Sequence, residues 1–128
     1  MREIKFRGKA KNNISMDDGE WIYGYFRKWF NSSDGKEYGF ISDGYANVWE
    51  VDLNTVSEYT GLKDENGKEI FENDICKNML GIKGYIVFDI DKGGYCIENK
   101  EGFFKLSYHL EVLGNIYENP KLLNEKTR

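Results

Sequence analysis

The sequence predicts an all-β protein built from short antiparallel strands. Three observations carry that expectation. No long segment keeps an apolar period of 3.6 residues, which a helix would need. Runs rich in Tyr, Trp, Phe, Ile and Val, the residues that suit a pleated sheet, recur along the whole chain. Turn signals stand between them at close spacing: Asp18-Gly19, Asp34-Gly35, Asp43-Gly44, Asn66-Gly67 and Gly93-Gly94. Short strands so spaced fit a sandwich or barrel.

The elements follow in order. Residues 3–7 alternate, so Ile4 and Phe6 share one face of a strand. Residues 8–13 are polar and basic and read as a loop. Residues 21–30 are the richest aromatic run. Trp21, Tyr23 and Tyr25 project to one side, Ile22 and Phe26 to the other, with Gly24 between them. Both sides carry apolar bulk, so this strand is either central or touches something beyond its own core. A polar loop at 31–36 leads to a short strand at 38–42 and a turn at 43–47. Residues 48–53 alternate, with Trp49, Val51 and Leu53 opposed to Val48, Glu50 and Asp52.

Residues 56–59 lead into the stretch around which the chain is organised. Asn66-Gly67 is the strongest hairpin signal, because a two-residue type I′ loop needs φ > 0 at both central positions. Leu62 precedes it, and Ile70 and Phe71 follow it. A second turn is expected at Glu72-Asn73-Asp74, with Asn73 at positive φ and the Asp74 carboxylate accepting nearby backbone N–H groups. Strands are predicted at 75–80, 83–90, 95–98 and 103–106, a helical turn at 107–110, and a last strand at 111–117. Asn119 reads as the N-cap and Pro120 as the first residue of a short C-terminal helical turn. Residues 59–117 are the more regular part, and from 68 to 117 they resemble a small SH3-like barrel.

A chain of 128 residues with 40% hydrophobic and 16% aromatic content can bury its own core as one domain, residues 1–128, without a disulfide or metal staple. A net charge of −4 argues against general nucleic-acid binding, which relies on Lys and Arg neutralising phosphates. Cys76, Cys96 and the single His109 are too few and too scattered for a zinc site. Both cysteines lie in predicted strands beside isoleucines, where reduced Cys behaves as a small hydrophobe. No cofactor is expected. No signal peptide opens the chain and no apolar run nears the ~18 residues of a membrane span, so the expectation is a soluble cytoplasmic protein that binds no membrane.

Candidate chemistry is thin. Asp64-Glu65-Asn66-Gly67 hints at a calcium loop, but Lys68 and Glu69 occupy its fifth and sixth positions and break the pattern. Asp17, Asp18, Asp89 and Asp91 sit in or beside turns, where Asp is expected for local hydrogen bonding. His109 has Ser107 nearby but no nucleophile elbow. No helix follows Gly93-Gly94, so a phosphate loop is not supported. The catalytic and metal residue sets are therefore empty. Two surface candidates remain. Trp21, Tyr23, Tyr25, Arg27 and Trp29 combine the residue types that protein interfaces favour. Arg2, Lys5, Arg7, Lys9 and Lys11 form a basic N-terminal stretch, the candidate contact for nucleic acid.

The segment YTGLKDENGKEIFENDI at 59–75, followed by EVLGNIYENPKLL at 111–123, resembles the YopX family of small phage and prophage proteins. The opening REIKFRGKAKNN at 2–13 is similar to that family's N-terminus. Asn73 stands where a glycine would be usual, and Asn is the next-best residue for that geometry. The resemblance implies a mostly β fold and a phage origin, hence the cytoplasm of a bacterial host. It implies no activity and no site residues. The expectation is a non-enzymatic accessory protein working through protein contacts, first with copies of itself and then with a host or phage protein. A nucleic-acid-binding module and an enzyme without a recognisable motif are the alternatives.

Overall fold

The computed structural model describes residues 3–106 and 109–124. It is all-β, with its strands in two antiparallel sheets. Neither sheet closes as a barrel. The chain divides into two compact units, Met1–Tyr59 and Thr60–Arg128.

The first unit holds β1 (Phe6–Lys9), β2 (Trp21–Asn31), β3 (Lys36–Ser42), β4 (Val48–Val51), a 3-10 turn at Leu53–Thr55, and the start of β5 (Ser57–Lys63). Their order across the sheet is β4-β3-β2-β1-β5. The register sets Phe6 opposite Gly24, Tyr25 opposite Ser42 and Gly39 opposite Val51. Beyond β1 the chain bridges back from Ala10 to Val51, so the outer side of β4 is also hydrogen-bonded. Ala10, Ile22, Ile41 and Val51 form the buried core, with Phe6, Met16, Phe26, Trp49 and Val56 packed on it. Ile22 and Phe26 of β2 thus supply core from one side of the strand, whereas Lys28 and Phe30 farther along that side are exposed. Residues 8 and 9 lie in β1 rather than in the expected loop. Lys9 is compatible with a strand because its ammonium stands over the Trp21 ring, 5.5 Å from the centroid.

The second unit continues with the rest of β5, then β6 (Glu69–Phe71), β7 (Asp74–Lys77), β8 (Lys83–Asp89), β9 (Gly94–Asn99), β10 (Gly102–Lys105), β11 (Glu111–Asn115) and a 3-10 turn at Pro120–Asn124. The sheet order is β10-β9-β8-β7-β11. Ile70, Cys76, Ile86, Ile97 and Leu110 are its buried core. Each such isoleucine stabilises the unit by roughly 1.5–3 kcal/mol through burial. The predicted strand at 75–80 stops at Lys77. There Asn78 turns the chain, its side chain accepting from the N–H groups of Leu80 and Ile82. The helical turn expected at 107–110 falls partly on residues 107 and 108, outside the described residues.

The two turns of the organising stretch have different outcomes. At the second, Asn73 sits at φ +69° and Asp74 Oδ2 accepts from the N–H of Phe71 at 2.8 Å, as expected. At the first, Gly67 has φ +83° but Asn66 does not have positive φ, so the loop is not type I′. Gly67 N–H donates to the Asp64 carbonyl at 3.0 Å, and Asp64 N–H to the Lys68 carbonyl at 2.7 Å. That is a type I turn closed by a left-handed glycine, a three-residue loop. Asp64 selects it: its Oδ1 accepts from the N–H groups of Asn66 (2.9 Å) and Lys68 (2.8 Å). A side chain at Gly67 would meet no atom, so only backbone strain opposes it. Gly67→Val should therefore cost about 1–3 kcal/mol, and an unchanged melting midpoint would contradict this turn.

Candidate functional site

Alternation along β2 sends Trp21, Tyr23, Tyr25, Arg27 and Trp29 away from the core. Tyr25 and Trp29 are 61% and 49% exposed, and Tyr23 and Arg27 are exposed as well. Across the register, Tyr25, Arg27 and Trp29 face Ser42, Phe40 and Tyr38 of β3. Trp29 and Tyr38 stack with ring centroids 5.9 Å apart. The Tyr38 hydroxyl donates to the Asp34 carboxylate at the hairpin tip. That bond holds the Asp34 carboxyl below its ordinary range and pushes the Tyr38 hydroxyl up. As far as Phe26 the two sides of β2 therefore have different fates, one packed on the core and the other open, while beyond it Lys28 and Phe30 are exposed as well.

Trp21 departs from the expected row. It is half-buried, because Arg7 lies over its ring at 4.7 Å and Lys9 at 5.5 Å. The register explains this, since Lys9 pairs with Trp21 and Arg7 with Tyr23. Lys5 stands over Tyr59 at 5.3 Å. The structure thus brings the two candidate sets together, but it submerges the middle of the basic one. Arg7 is 5% exposed, and Lys5 and Lys9 are half-buried. Lys11 is exposed and Arg2 lies outside the described residues. Cations spread over rings are structural partners of those rings before they are phosphate ligands.

The remaining candidates serve the backbone. Asp18 Oδ1 accepts from the N–H of Asn12 at 3.0 Å, and Asp89 Oδ1 from that of Asp91 at 3.0 Å. Cys76 lies opposite Gly84 and Cys96 opposite Val87, on strands flanking β8. Two strand spacings and a three-residue offset put them roughly 14 Å apart, beyond disulfide reach. Burial, and then the charges of Asp89 and Glu98, push the Cys96 thiol up, so it stays protonated and unreactive. His109 Nδ1 is 3.8 Å from Glu65 Oε2 at an open cleft of 420 Å³ that Lys77 and Glu111 also line. Ser107 lies outside the described residues. Among the described residues no group of three His, Cys, Asp or Glu could hold a metal.

The sequence presents Asp64 only as the start of a calcium loop that fails, and not as a long-range acceptor. Besides its own turn it reaches the N–H of Val112 at 3.0 Å, 48 positions along the chain. Its burial among strand residues is the signal that sequence lacks.

A strand-built fold that runs from the aromatic N-terminal sheet to the C-terminal Pro120 turn accords with the family resemblance. Residues 5–124 match the family model described as YopX protein. The chain belongs to the YopX family. None of the curated proteins matches it. No helix among the described residues is long and apolar enough to cross a membrane.

Proposed function

We propose that this YopX-family chain is a non-enzymatic, phage-borne accessory protein of the host cytoplasm that works through protein contacts, first with copies of itself. One observation carries the proposal: Tyr23, Tyr25, Arg27 and Trp29 stand exposed in one row on a paired strand. Tyr, Trp and Arg on a rigid element are the anchors that protein interfaces use. Nucleic acid is the weaker reading, because the cations beside this row are largely sunk over Trp21 and Tyr59, whereas backbone binding needs them at the surface. An SH3-like arrangement of residues 68–117 is part of the same proposal, supported by the meander β7-β8-β9-β10.

Sedimentation velocity at micromolar concentration tests it. The native chain should sediment above the monomer, and a Tyr25→Ser/Trp29→Ser variant should weaken association about tenfold or more, since each anchor is worth at least ~1 kcal/mol. Association indifferent to that variant overturns the role of this face. Submicromolar oligonucleotide binding with a steep salt slope would assign the face to nucleic acid instead.

A further inference from the structure

The strands at the sheet edges are not equally protected. The outer side of β4 is engaged by residues 9–13: Asp52 N–H donates to the Lys9 carbonyl, Lys11 N–H to the Glu50 carbonyl, and the Asn13 side chain brackets Glu50 on both its N–H and its carbonyl. At β11, Val112 N–H donates to the Asp64 carboxylate, and just before the strand the Leu110 carbonyl accepts from Glu65 N–H. β10 ends its sheet, and among the described residues no hydrogen bond is made to its outer side. An uncovered strand edge is a template for another strand.

We propose that β10 is a two-fold interface with a second copy of this chain, formed by antiparallel edge pairing centred on Phe103. The local sequence Glu101-Gly102-Phe103-Phe104-Lys105 is self-complementary about that residue. A perpendicular two-fold axis keeps the faces of both sheets aligned, which requires a residue to pair with its own copy. Centred on Phe103, the register sets Phe103 against Phe103 of the second copy, Phe104 against Gly102, and Lys105 level with Glu101. Phe103 is 56% exposed, and so becomes a cross-strand aromatic pair. Phe104 remains in its own core, opposite a glycine that leaves it room. The Lys105–Glu101 opposition occurs twice by symmetry, and both residues are exposed at present. Shifting the centre to Phe104 loses this match, because Phe103 would then face Lys105. The contact is separate from the β2 face and does not depend on it.

A charge-swap series tests the register. Lys105→Glu and Glu101→Lys should each raise the dimer dissociation constant about tenfold, because each makes two like-charge oppositions. The double swap should restore it. All of these positions are exposed, so circular dichroism should report an unchanged fold. Measuring the series by sedimentation in both the native chain and the Tyr25→Ser/Trp29→Ser background separates this contact from the aromatic face. Loss of association only in the aromatic variant, or single swaps with no effect, would overturn the β10 pairing and leave the β2 proposal standing. Failure of the double swap to restore the constant would overturn the proposed register.

Discussion

Replacing Gly24 by alanine should cost roughly 2–6 kcal/mol, from overpacking and backbone-strain contributions of ~1–3 kcal/mol each. A Cβ at this position would lie 2.1 Å from the Ser42 carbonyl oxygen and 3.2 Å from Ile41 Cγ2. The first of these is a backbone atom of the neighbouring strand, so no rotamer change relieves the overlap. Gly24 also has φ +156°, a conformation that side chains rarely adopt. It lies where β2 passes from pairing with β1 to pairing with β3. Forcing the strands apart there would loosen the packing of Ile22 and Ile41 together. Urea denaturation followed by tryptophan fluorescence should show a lower midpoint at an unchanged fold. An unfolding free energy within ~0.5 kcal/mol of the native chain's would mean the close approach at Ser42 does not exist.

The second large effect belongs to Asp64. Its carboxylate accepts from the N–H groups of Asn66, Lys68 and Val112. Burial alone would raise its pKa, but those three backbone donors outweigh it and the carboxyl titrates below the ordinary 3.8. Asp64→Asn turns one acceptor into a donor facing a donor and should cost about 2–3 kcal/mol near neutral pH. The direction with pH follows from linkage. A carboxyl depressed in the folded state contributes stability that is complete above its unfolded pKa and is lost as pH falls through the folded value. The stability gap between native chain and variant should therefore be flat from pH 7 to about 5 and shrink below about 4. A gap that persists unchanged at pH 3 would remove the ionised carboxylate from the account.

Much of this was legible from residues alone, for identifiable reasons. Alternation is a local property, so the strand at 21–31 and its division into a core side and an aromatic side could be read directly. The turn at Asn73 was equally readable, since few residues tolerate φ > 0. The hairpin at 64–68 was located correctly but given the wrong geometry. The Asn-Gly pair favours type I′, yet a carboxylate two residues upstream of Asn66 captures the N–H groups of a type I turn. Local preference lost there to a competing local hydrogen bond.

Composition, alternation and turn chemistry alone determined the strand-built class, the approximate position of most strands, and an aromatic row on β2 that its own core does not use; the 3-10 turn at Leu53–Thr55 was not among them. Only the tertiary structure decided which cations remain outside. Arg7 and Trp21 are fourteen positions apart in the chain, and nothing between them foretells that strand pairing lays one over the other. The same holds for Asp64 and Val112, and for which sheet edge is covered. Each of these depends on register between distant segments, which is set by the sum of packing across the sheet rather than by any residue's own preference.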